Sequence, residues 1–210
     1  MHKQNQITVI LGKKGSGKTS LAFNLIADCK RLIIFDYNQE YNGFYIVTLP
    51  EQLMKVLQLN FDSDFRICYR PSPELEIEEH FEHLSAAVFC MKDVTLLAEE
   101  IDIVSTAGEM PQGLRKIINY GRHRGINLIG LSRRAHRVPR DLTANADSIY
   151  TFTQFEPRDI KYLADYMGET AADQVSGLKK TDTTGEFLKW ESGDTLRGKI
   201  NYVDKSITIS

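Results

Sequence analysis

The stretch that decides the fold is "ITVILGKKGSGKTSLAFNLI", residues 7–26. Its centre, from Gly12 to Thr19, matches the spacing G-x-x-x-x-G-K-[ST] of a phosphate-binding loop. An apolar run, "ITVIL", precedes the loop, and an apolar stripe at helical spacing that begins with Leu21 and Ala22 follows it. A strand, a glycine-rich loop and a helix in this order are the context in which the motif binds a nucleoside triphosphate.

The residue types in this loop suit phosphate binding. Glycines let backbone N–H groups curl around phosphate oxygens without a Cβ clash, and the following helix adds partial positive charge. We expect Lys18 to contact the β- and γ-phosphates of ATP and the Thr19 hydroxyl to bind Mg²⁺. A surface turn rich in glycine and lysine is the alternative, which the strand–loop–helix context disfavours. The predicted nucleotide-binding residues are Gly12, Lys13, Lys14, Gly15, Ser16, Gly17, Lys18, Thr19 and Ser20.

Composition narrows the class of protein. The chain has 210 residues, 42% of them hydrophobic, with 26 Lys and Arg against 28 Asp and Glu. This balance suits one globular domain and argues against a surface that is basic throughout. We expect no transmembrane segment, because no stretch approaches the ~20 apolar residues that one requires. The three cysteines stand singly in apolar surroundings, which is typical of reduced core residues in an intracellular protein.

Short runs that are apolar on both faces alternate with helical patterns along most of the chain. This alternation predicts an α/β fold with a mostly parallel central sheet and helices on both faces. Near the C-terminus, "GEFLKWES" and "TLRGKINYV" flank "GD" (193–194) and predict an antiparallel hairpin. We expect a single domain over residues 1–210, with an ATPase core at about 7–168 and an extension of a helix and the hairpin at about 169–210.

A pair of acids follows one of the predicted strands, in "VTLLAEEID" (94–102). A phosphate-binding loop needs a carboxylate at the end of a neighbouring strand for Mg²⁺, and a second group that orients the attacking water. We assign Glu99 to the metal and Glu100 to the water. A solvated start of a helix is the alternative for two adjacent glutamates.

Three segments in order resemble the HerA/FtsK branch of the RecA-like ATPases. "IIFDYNQEY" (33–41) is similar to a strand ending D-p-x-G-E-Y, "LLAEEID" stands where the family has h-h-h-D-E, and residues 120–152 resemble the stretch that selects this branch. The matching residues are Asp36, Glu40, Tyr41, Gly121, Arg122, Gly125, Arg134, Asn145, Ala146 and Asp147. The departures are Gln39 for glycine, Glu99 for aspartate, Ser132 and Arg133 for a Thr-Gln pair, and Ala135 for proline.

The resemblance implies a RecA-like fold, hydrolysis of ATP with Mg²⁺, and a ring of subunits, a hexamer or a pentamer, that acts on double-stranded DNA. Members this short resemble the genome-packaging ATPases of tailless, membrane-containing viruses. For this chain the implied function is packaging of a viral genome into a preformed capsid. The implied partners include capsid-vertex or membrane proteins, and the implied location is the host cytoplasm or the virion.

Several arginines are candidates for contacts with phosphates. Arg122, on a helix face shared with Arg115, is our first candidate for an arginine finger that reaches the γ-phosphate of a neighbouring subunit, and Arg133 or Arg134 is the second. In "GLSRRAHRVPR" (130–140), Ser132 and Arg133 stand where the strand ends at the nucleotide edge, so they are expected to sense the γ-phosphate. The remaining arginines of the stretch, Arg134, Arg137 and Arg140, are predicted to contact DNA or a neighbouring subunit. A solvated loop is the alternative.

Three other functions stay open at the level of sequence. A Zot-like ATPase of filamentous phage assembly is a relative of the same branch. A nucleotide-binding assembly protein could hydrolyse ATP slowly and switch its oligomeric state, as the departures at Glu99 and Arg133 suggest. A small-molecule P-loop kinase would use "SRRAHRVPR" as a mobile lid.

Overall fold

The computed structural model describes residues 6–105 and 109–209. Its strands are β1 (Ile7–Leu11), β2 (Arg31–Phe35), β3 (Tyr45–Val47), β4 (Phe65–Tyr69), β5 (Thr95–Ala98), β6 (Asn127–Ser132), β7 (Ser148–Thr151), β8 (Thr184–Glu191), β9 (Asp194–Asn201) and β10 (Ile207–Ile209). Its helices are α1 (Lys18–Leu25), α2 (Pro50–Leu59), α3 (Ile77–Cys90), α4 (Ile101–Val104), α5 (Gln112–Tyr120), α6 (Arg140–Ala144), α7 (Pro157–Met167) and α8 (Glu169–Asp173). Short 3₁₀ turns lie at Gly121–Arg124, Ala135–Arg137 and Val175–Gly177.

One ten-stranded sheet contains all of these strands, in the order β10-β9-β8-β7-β1-β6-β5-β2-β4-β3. Neighbouring strands from β7 to β3 run parallel, whereas β8, β9 and β10 pair antiparallel. The predicted parallel sheet with a C-terminal hairpin is confirmed. The hairpin also pairs with β7, where Thr151 opposes Leu188, so the C-terminal extension continues the sheet of the core.

The apolar residues of the central strands pack on both faces of the sheet. Along β1, Val9 and Leu11 belong to one buried cluster, which includes residues of α2, α3, α5 and α7. Ile10, which points the opposite way, belongs to a second cluster that includes Leu21 and Ala22 of α1. Successive side chains of a strand point to opposite faces, so a strand covered on both sides is apolar at every position. The predicted placement of helices on both faces is therefore confirmed.

Element bounds differ from the sequence patterns at a few places. The apolar run 44–49 predicts a longer strand than β3, which pairs on one side only and covers residues 45–47. The helix predicted over 111–122 ends as α5 at Tyr120 and continues as a 3₁₀ turn. The turn of the hairpin is formed by Ser192 and Gly193, one residue before the predicted "GD", and both have positive φ, as a type I′ turn requires. Within residues 6–105 and 109–209, no helix is both long enough and apolar enough to cross a membrane.

Candidate active site

The carboxyl ends of the parallel strands carry most of the predicted site residues. Leu11 at the end of β1 lies opposite Ser132 at the end of β6, and Ala98 at the end of β5 lies opposite Gly130 of β6. The loops after these strands therefore begin at one edge of the sheet. They form a cleft of about 410 Å³ that is lined by residues including Lys18, Thr19, Glu99, Glu100 and Arg133. The structure thus brings together the phosphate-binding loop and both predicted acids.

The backbone of the phosphate-binding loop requires glycine. Gly12, Gly15 and Gly17 have φ angles of 152°, 71° and 115°, in a region that L side chains rarely adopt. A Cβ atom at Gly12 would also lie 2.7 Å from Cβ of Phe152 and 2.7 Å from Oγ of Ser16. The Cβ atom of Phe152 is fixed by its backbone and cannot move aside, so the loop tolerates no side chain at this position.

Lys18 is the first residue of α1 and is buried against the loop. Its Nζ atom donates hydrogen bonds to the carbonyl oxygens of Gly12, at 2.8 Å, and Lys13, at 3.4 Å. Burial lowers the pKa of the ammonium group, and the nearby charge of Glu100 opposes that shift. The Lys18 side chain is therefore held against the loop, where it is predicted to contact the phosphates of a bound nucleotide.

Oxygen ligands for a cation gather beside Thr19. The Thr19 hydroxyl donates a hydrogen bond of 2.9 Å to Oε2 of Glu40. Glu99 is buried, and its Oε2 atom has no hydrogen-bond partner among the described residues. Burial, reinforced by the negative charges of Glu40 and Asp36, raises the pKa of Glu99 from 4.5 to about 7. A bound cation would relieve this unfavourable burial of a carboxylate.

These residues fit Mg²⁺, which prefers oxygen ligands. In proteins several of its ligands are water molecules and phosphate oxygens. The described part of the chain contains no group of three or more His, Cys, Asp or Glu side chains that could hold a metal ion by themselves. Phosphate oxygens of a nucleotide and water would therefore complete the coordination by Thr19, Glu99 and Glu40. Glu40 was not predicted as a metal ligand, although it lies in the segment 33–41 that resembles the family.

Asp36 fixes the turn that places Glu40 in the cleft. Its buried carboxylate accepts hydrogen bonds from the backbone N–H groups of Glu40, at 2.8 Å, and Tyr41, at 3.2 Å. Arg70, which follows β4, donates to the same carboxylate over 2.9 Å. Gln39 within this turn has a φ of 56°, a left-handed conformation that glycine adopts more easily. The preference for glycine at this position of the family motif thus has a conformational reason.

Glu100 is paired with an arginine in the same cleft. The Nε atom of Arg133 lies 2.6 Å from Oε1 of Glu100, and the Asn38 amide donates to the same oxygen over 3.4 Å. Glu100 also has a left-handed backbone, with φ 51° and ψ 48°, immediately before α4. Strained conformations of this kind are concentrated at functional sites. The pair joins the residue predicted to orient water to a residue predicted to sense the γ-phosphate.

Ser132 lies next to the phosphate-binding loop but its hydroxyl bonds elsewhere. The backbone N–H of Gly12 donates to the carbonyl oxygen of Ser132 over 3.2 Å. The Ser132 hydroxyl bonds with the backbone N–H and C=O of Arg134, each at 3.0 Å. The residue therefore ties the end of β6 to the loop, and its role as a γ-phosphate sensor stays a prediction.

The three arginines predicted to contact DNA or a neighbour have different surroundings. Nε of Arg134 lies 3.0 Å from Oδ2 of the buried Asp159, close enough for an ion pair although the two are not aligned as a hydrogen bond. Arg140 pairs with Asp165 and stacks on the Tyr162 ring, 4.0 Å from its centroid. Arg137 is exposed and forms no ion pair within residues 6–105 and 109–209. Of the three, Arg137 has a side chain available for an external phosphate.

Arg122 lies far from the cleft of its own chain. It belongs to the 3₁₀ turn Gly121–Arg124, which precedes β6, whereas the cleft lies where β6 ends. Its side chain is exposed. An arginine at this edge cannot reach the γ-phosphate of its own subunit, so its predicted role as a finger requires a neighbour.

No protein-family model and no curated protein sequence matches the chain. Solved structures do match over nearly its whole length. The genome packaging NTPase B204 from Sulfolobus turreted icosahedral virus 2, in complex with AMPPCP, is 21% identical with a TM-score of 0.71, over 98% of this chain and 96% of that chain. B204, the DNA-packaging ATPase from Sulfolobus turreted icosahedral virus, is 22% identical with a TM-score of 0.66, over 100% and 98% of the two chains.

A third match is more distant. The N-terminal domain of zonular occludens toxin from Neisseria meningitidis is 14% identical with a TM-score of 0.51, over 99% of this chain and 96% of that chain. The likeness in fold is therefore greater to the packaging NTPases than to the toxin domain. This chain has the RecA-like fold of P-loop ATPases, in a form similar to that of viral genome-packaging NTPases.

Proposed function

We propose that this protein is an ATP-driven motor that moves double-stranded DNA and packages a viral genome into a preformed capsid. The observation that carries the proposal is the cleft in which Lys18, Thr19, Glu99 and Glu100 meet at one edge of the sheet. The likeness in fold to packaging NTPases, over nearly the full length of both chains, supports the same function.

The residues of the cleft suit hydrolysis of the γ-phosphate. Lys18 would contact the β- and γ-phosphates, while Thr19, Glu99 and Glu40 would hold Mg²⁺ or its water ligands. When bound, Mg²⁺ neutralises charge that develops on the phosphate oxygens. Glu100 orients a water molecule in line with the bond between the γ-phosphorus and the bridging oxygen. The water oxygen forms a new bond to phosphorus as the bridging bond breaks, a proton of the water passes to a phosphate oxygen or to the Glu100 carboxylate, and the products are ADP and phosphate.

A ring of subunits would complete the site. The edge that carries Arg122 is opposite the edge that carries the cleft, so a ring of five or six copies could bring Arg122 of one copy to the cleft of the next. An arginine finger of this kind stabilises the transition-state charge. Arg137 would contact the phosphates of double-stranded DNA. Contacts with capsid-vertex or membrane proteins, and a location in the host cytoplasm or the virion, belong to the same proposal.

A second candidate is an assembly protein that hydrolyses ATP slowly and acts by switching its oligomeric state. The ion pair between Arg133 and Glu100 favours it, because a carboxylate oxygen that is paired with a guanidinium is a weaker acceptor for water. The Zot-like function has the weaker support of the distant match to the toxin domain.

The test is the rate of ATP hydrolysis with and without linear double-stranded DNA, together with the mass of the particle in solution. The motor is expected to hydrolyse ATP as a ring and to be stimulated by DNA, and Lys18→Ala should abolish hydrolysis. Slow turnover that DNA does not change, with a mass that depends on the bound nucleotide, would support the assembly switch. Turnover that requires a small-molecule acceptor would identify a kinase and contradict both.

A further inference from the structure

The C-terminal extension reaches the phosphate-binding loop. Tyr202, the residue after β9, donates a hydrogen bond of 3.0 Å from its hydroxyl to the carbonyl oxygen of Ser16. Its ring packs where Gly17 and Gly185 leave space, because a Cβ atom at Gly17 would lie 2.8 Å from a ring carbon of Tyr202. The ring is partly buried and lines the cleft.

Further contacts fix this segment to α1. The Lys205 ammonium donates to the Ser20 hydroxyl over 3.3 Å, and the Asn24 amide donates to the carbonyl oxygen of Lys205 over 2.7 Å. Tyr202 is therefore held on both sides, by the loop and by the helix that follows the loop. A residue held in this way is preorganised for contact with a ligand.

The turn before β8 lines the same end of the cleft with two charged residues, Lys180 and Asp182. The backbone N–H of Thr181 donates to the carbonyl oxygen of Thr184 over 2.8 Å, which closes the turn. The Lys180 ammonium lies on the side of the loop, 3.6 Å from a Cβ atom placed at Gly15. Lys180 therefore lies beside the phosphate-binding loop, whereas the negative charge of Asp182 would repel a bare triphosphate.

The order of the strands shows which end of the cleft this is. β1, which leads into the phosphate-binding loop, lies between β6 and β5 on one side and β7 and β8 on the other. Glu99, Glu100 and Arg133, the residues assigned to the γ-phosphate, follow β5 and β6. Tyr202 and Asp182 flank the hairpin on the opposite side. A nucleotide whose γ-phosphate meets the acids would thus extend its sugar and base towards the hairpin.

We propose that Tyr202 and Asp182 form the nucleoside-binding wall of the cleft. The inference rests on the proposed function, since it assigns the sugar and base of the same nucleoside triphosphate. The Tyr202 ring packs against the base or the ribose, and the Asp182 carboxylate accepts hydrogen bonds from ribose hydroxyls or an exocyclic amino group. Each of these donors is absent from a bare chain of phosphates.

The test compares the affinities of the full-length chain for ATP and for inorganic tripolyphosphate, each with Mg²⁺. Tyr202→Leu, which removes the ring, should weaken ATP binding about tenfold, as loss of one stacked aromatic contact does. Its affinity for tripolyphosphate should stay unchanged. Tyr202→Phe keeps the ring and loses the bond to Ser16, so it separates packing from bracing of the loop and should bind ATP nearly normally.

Asp182→Asn should affect the affinities for the two ligands differently. It should weaken ATP binding about fivefold by loss of a charged acceptor, and leave tripolyphosphate binding equal or tighter by loss of a repulsive charge. Asp194→Asn, at the exposed start of β9 in the same hairpin, is the matched control and should change neither.

Two results would contradict the proposal that Tyr202 and Asp182 form the nucleoside-binding wall. One is an equal loss of affinity for ATP and tripolyphosphate in Tyr202→Leu, which would show that the residue only braces the loop. The other is unchanged binding of ATP in both Tyr202→Leu and Asp182→Asn. In either case the proposed function would stand, provided that the parent chain binds ATP. Failure of the parent to bind ATP would contradict the proposed function, and the wall with it.

Discussion

The Nε atom of Arg133 lies 2.6 Å from Oε1 of Glu100, inside the cleft that the phosphate-binding loop closes on its other side. Arg133 directly follows β6 and Glu100 lies two residues after β5, and these strands are neighbours in the sheet. The pair therefore links the predicted sensor of the γ-phosphate to the residue predicted to orient water. An incoming γ-phosphate would compete with Glu100 for the guanidinium.

Substitutions in this pair separate binding from turnover. Glu100→Gln should keep ATP binding and lower turnover by roughly 10²–10⁴-fold, because it removes only the group that orients water. Arg133→Ala should also lower turnover, by about 10²-fold, through loss of a donor to the γ-phosphate. Single-turnover hydrolysis and nucleotide affinity measure the two effects. Faster hydrolysis in Arg133→Ala would instead show that the pair is inhibitory.

The order of the two acids has its own control. If Glu99→Gln stalls turnover with ATP binding intact while Glu100→Gln does not, the two assignments must be exchanged.

Stability without nucleotide or Mg²⁺ should depend on pH through Glu99. The pKa of Glu99 is raised from 4.5 to about 7, so between these values the folded chain binds more protons than the unfolded chain. The free energy of unfolding should therefore fall as pH rises through this window and level off above it, by up to about 3 kcal/mol.

Denaturant unfolding of Glu99→Gln at about pH 5 and pH 8 tests this dependence. The variant should lose most of the difference between the two pH values and should be more stable than the parent at the higher one. Glu74→Gln, at an exposed position, is the control and should behave like the parent. A pH dependence that survives in Glu99→Gln would assign it to other groups.

A finger that acts between subunits makes a specific demand on mixed rings. Arg122→Ala should lower turnover by roughly 10³–10⁵-fold, the contribution of such residues. When Arg122→Ala subunits are mixed with Lys18→Ala subunits, some activity should return, because an intact cleft and an intact arginine meet at some interfaces. Arg115→Ala, exposed on α5, which leads into the turn that carries Arg122, is the control. No recovery at any ratio, with assembly confirmed, would rule out this role for Arg122.

Arginines of the basic stretch 130–140 should differ in role, because one is predicted to contact DNA and another pairs with a residue of the same chain. Arg137→Ala should flatten the slope of log affinity for DNA against log salt by about 0.9, the effect of one lost phosphate contact. Arg134→Ala should instead lower the free energy of unfolding by roughly 1–3 kcal/mol, because it leaves the buried Asp159 with one partner fewer. Lys55→Ala, exposed on α2, is the control for the slope. A slope that does not change in Arg137→Ala would identify the stretch as a solvated loop.

The sequence predicts best what depends on local pattern. The fully apolar β1 predicts a buried parallel strand, the spacing of Leu114 and Ile117 predicts the buried face of α5, and the glycines of the loop follow from its positive φ angles. Contacts between distant residues leave no such pattern. The Tyr202 hydroxyl meets Ser16 across 186 positions of sequence, and the pairing of Arg134 with Asp159 likewise depends on how α7 packs.

Glu40 illustrates the same limit. Its position beside Thr19 depends on a turn that Asp36 and Arg70 hold from two strands. A motif match indicates that the residue matters, but only the geometry shows that it meets the hydroxyl of Thr19, a predicted metal ligand.

The most direct test of the proposed motor activity uses linear double-stranded DNA that carries a bound third strand. Displacement of the third strand is monitored by fluorescence in the presence of ATP and Mg²⁺. A motor that moves along the duplex strips the third strand from it. We expect displacement that requires hydrolysable ATP, is lost in Lys18→Ala and is slowed in Arg137→Ala. Full hydrolysis of ATP by the assembled parent chain, with no displacement above that of Lys18→Ala, would contradict the proposed motor activity.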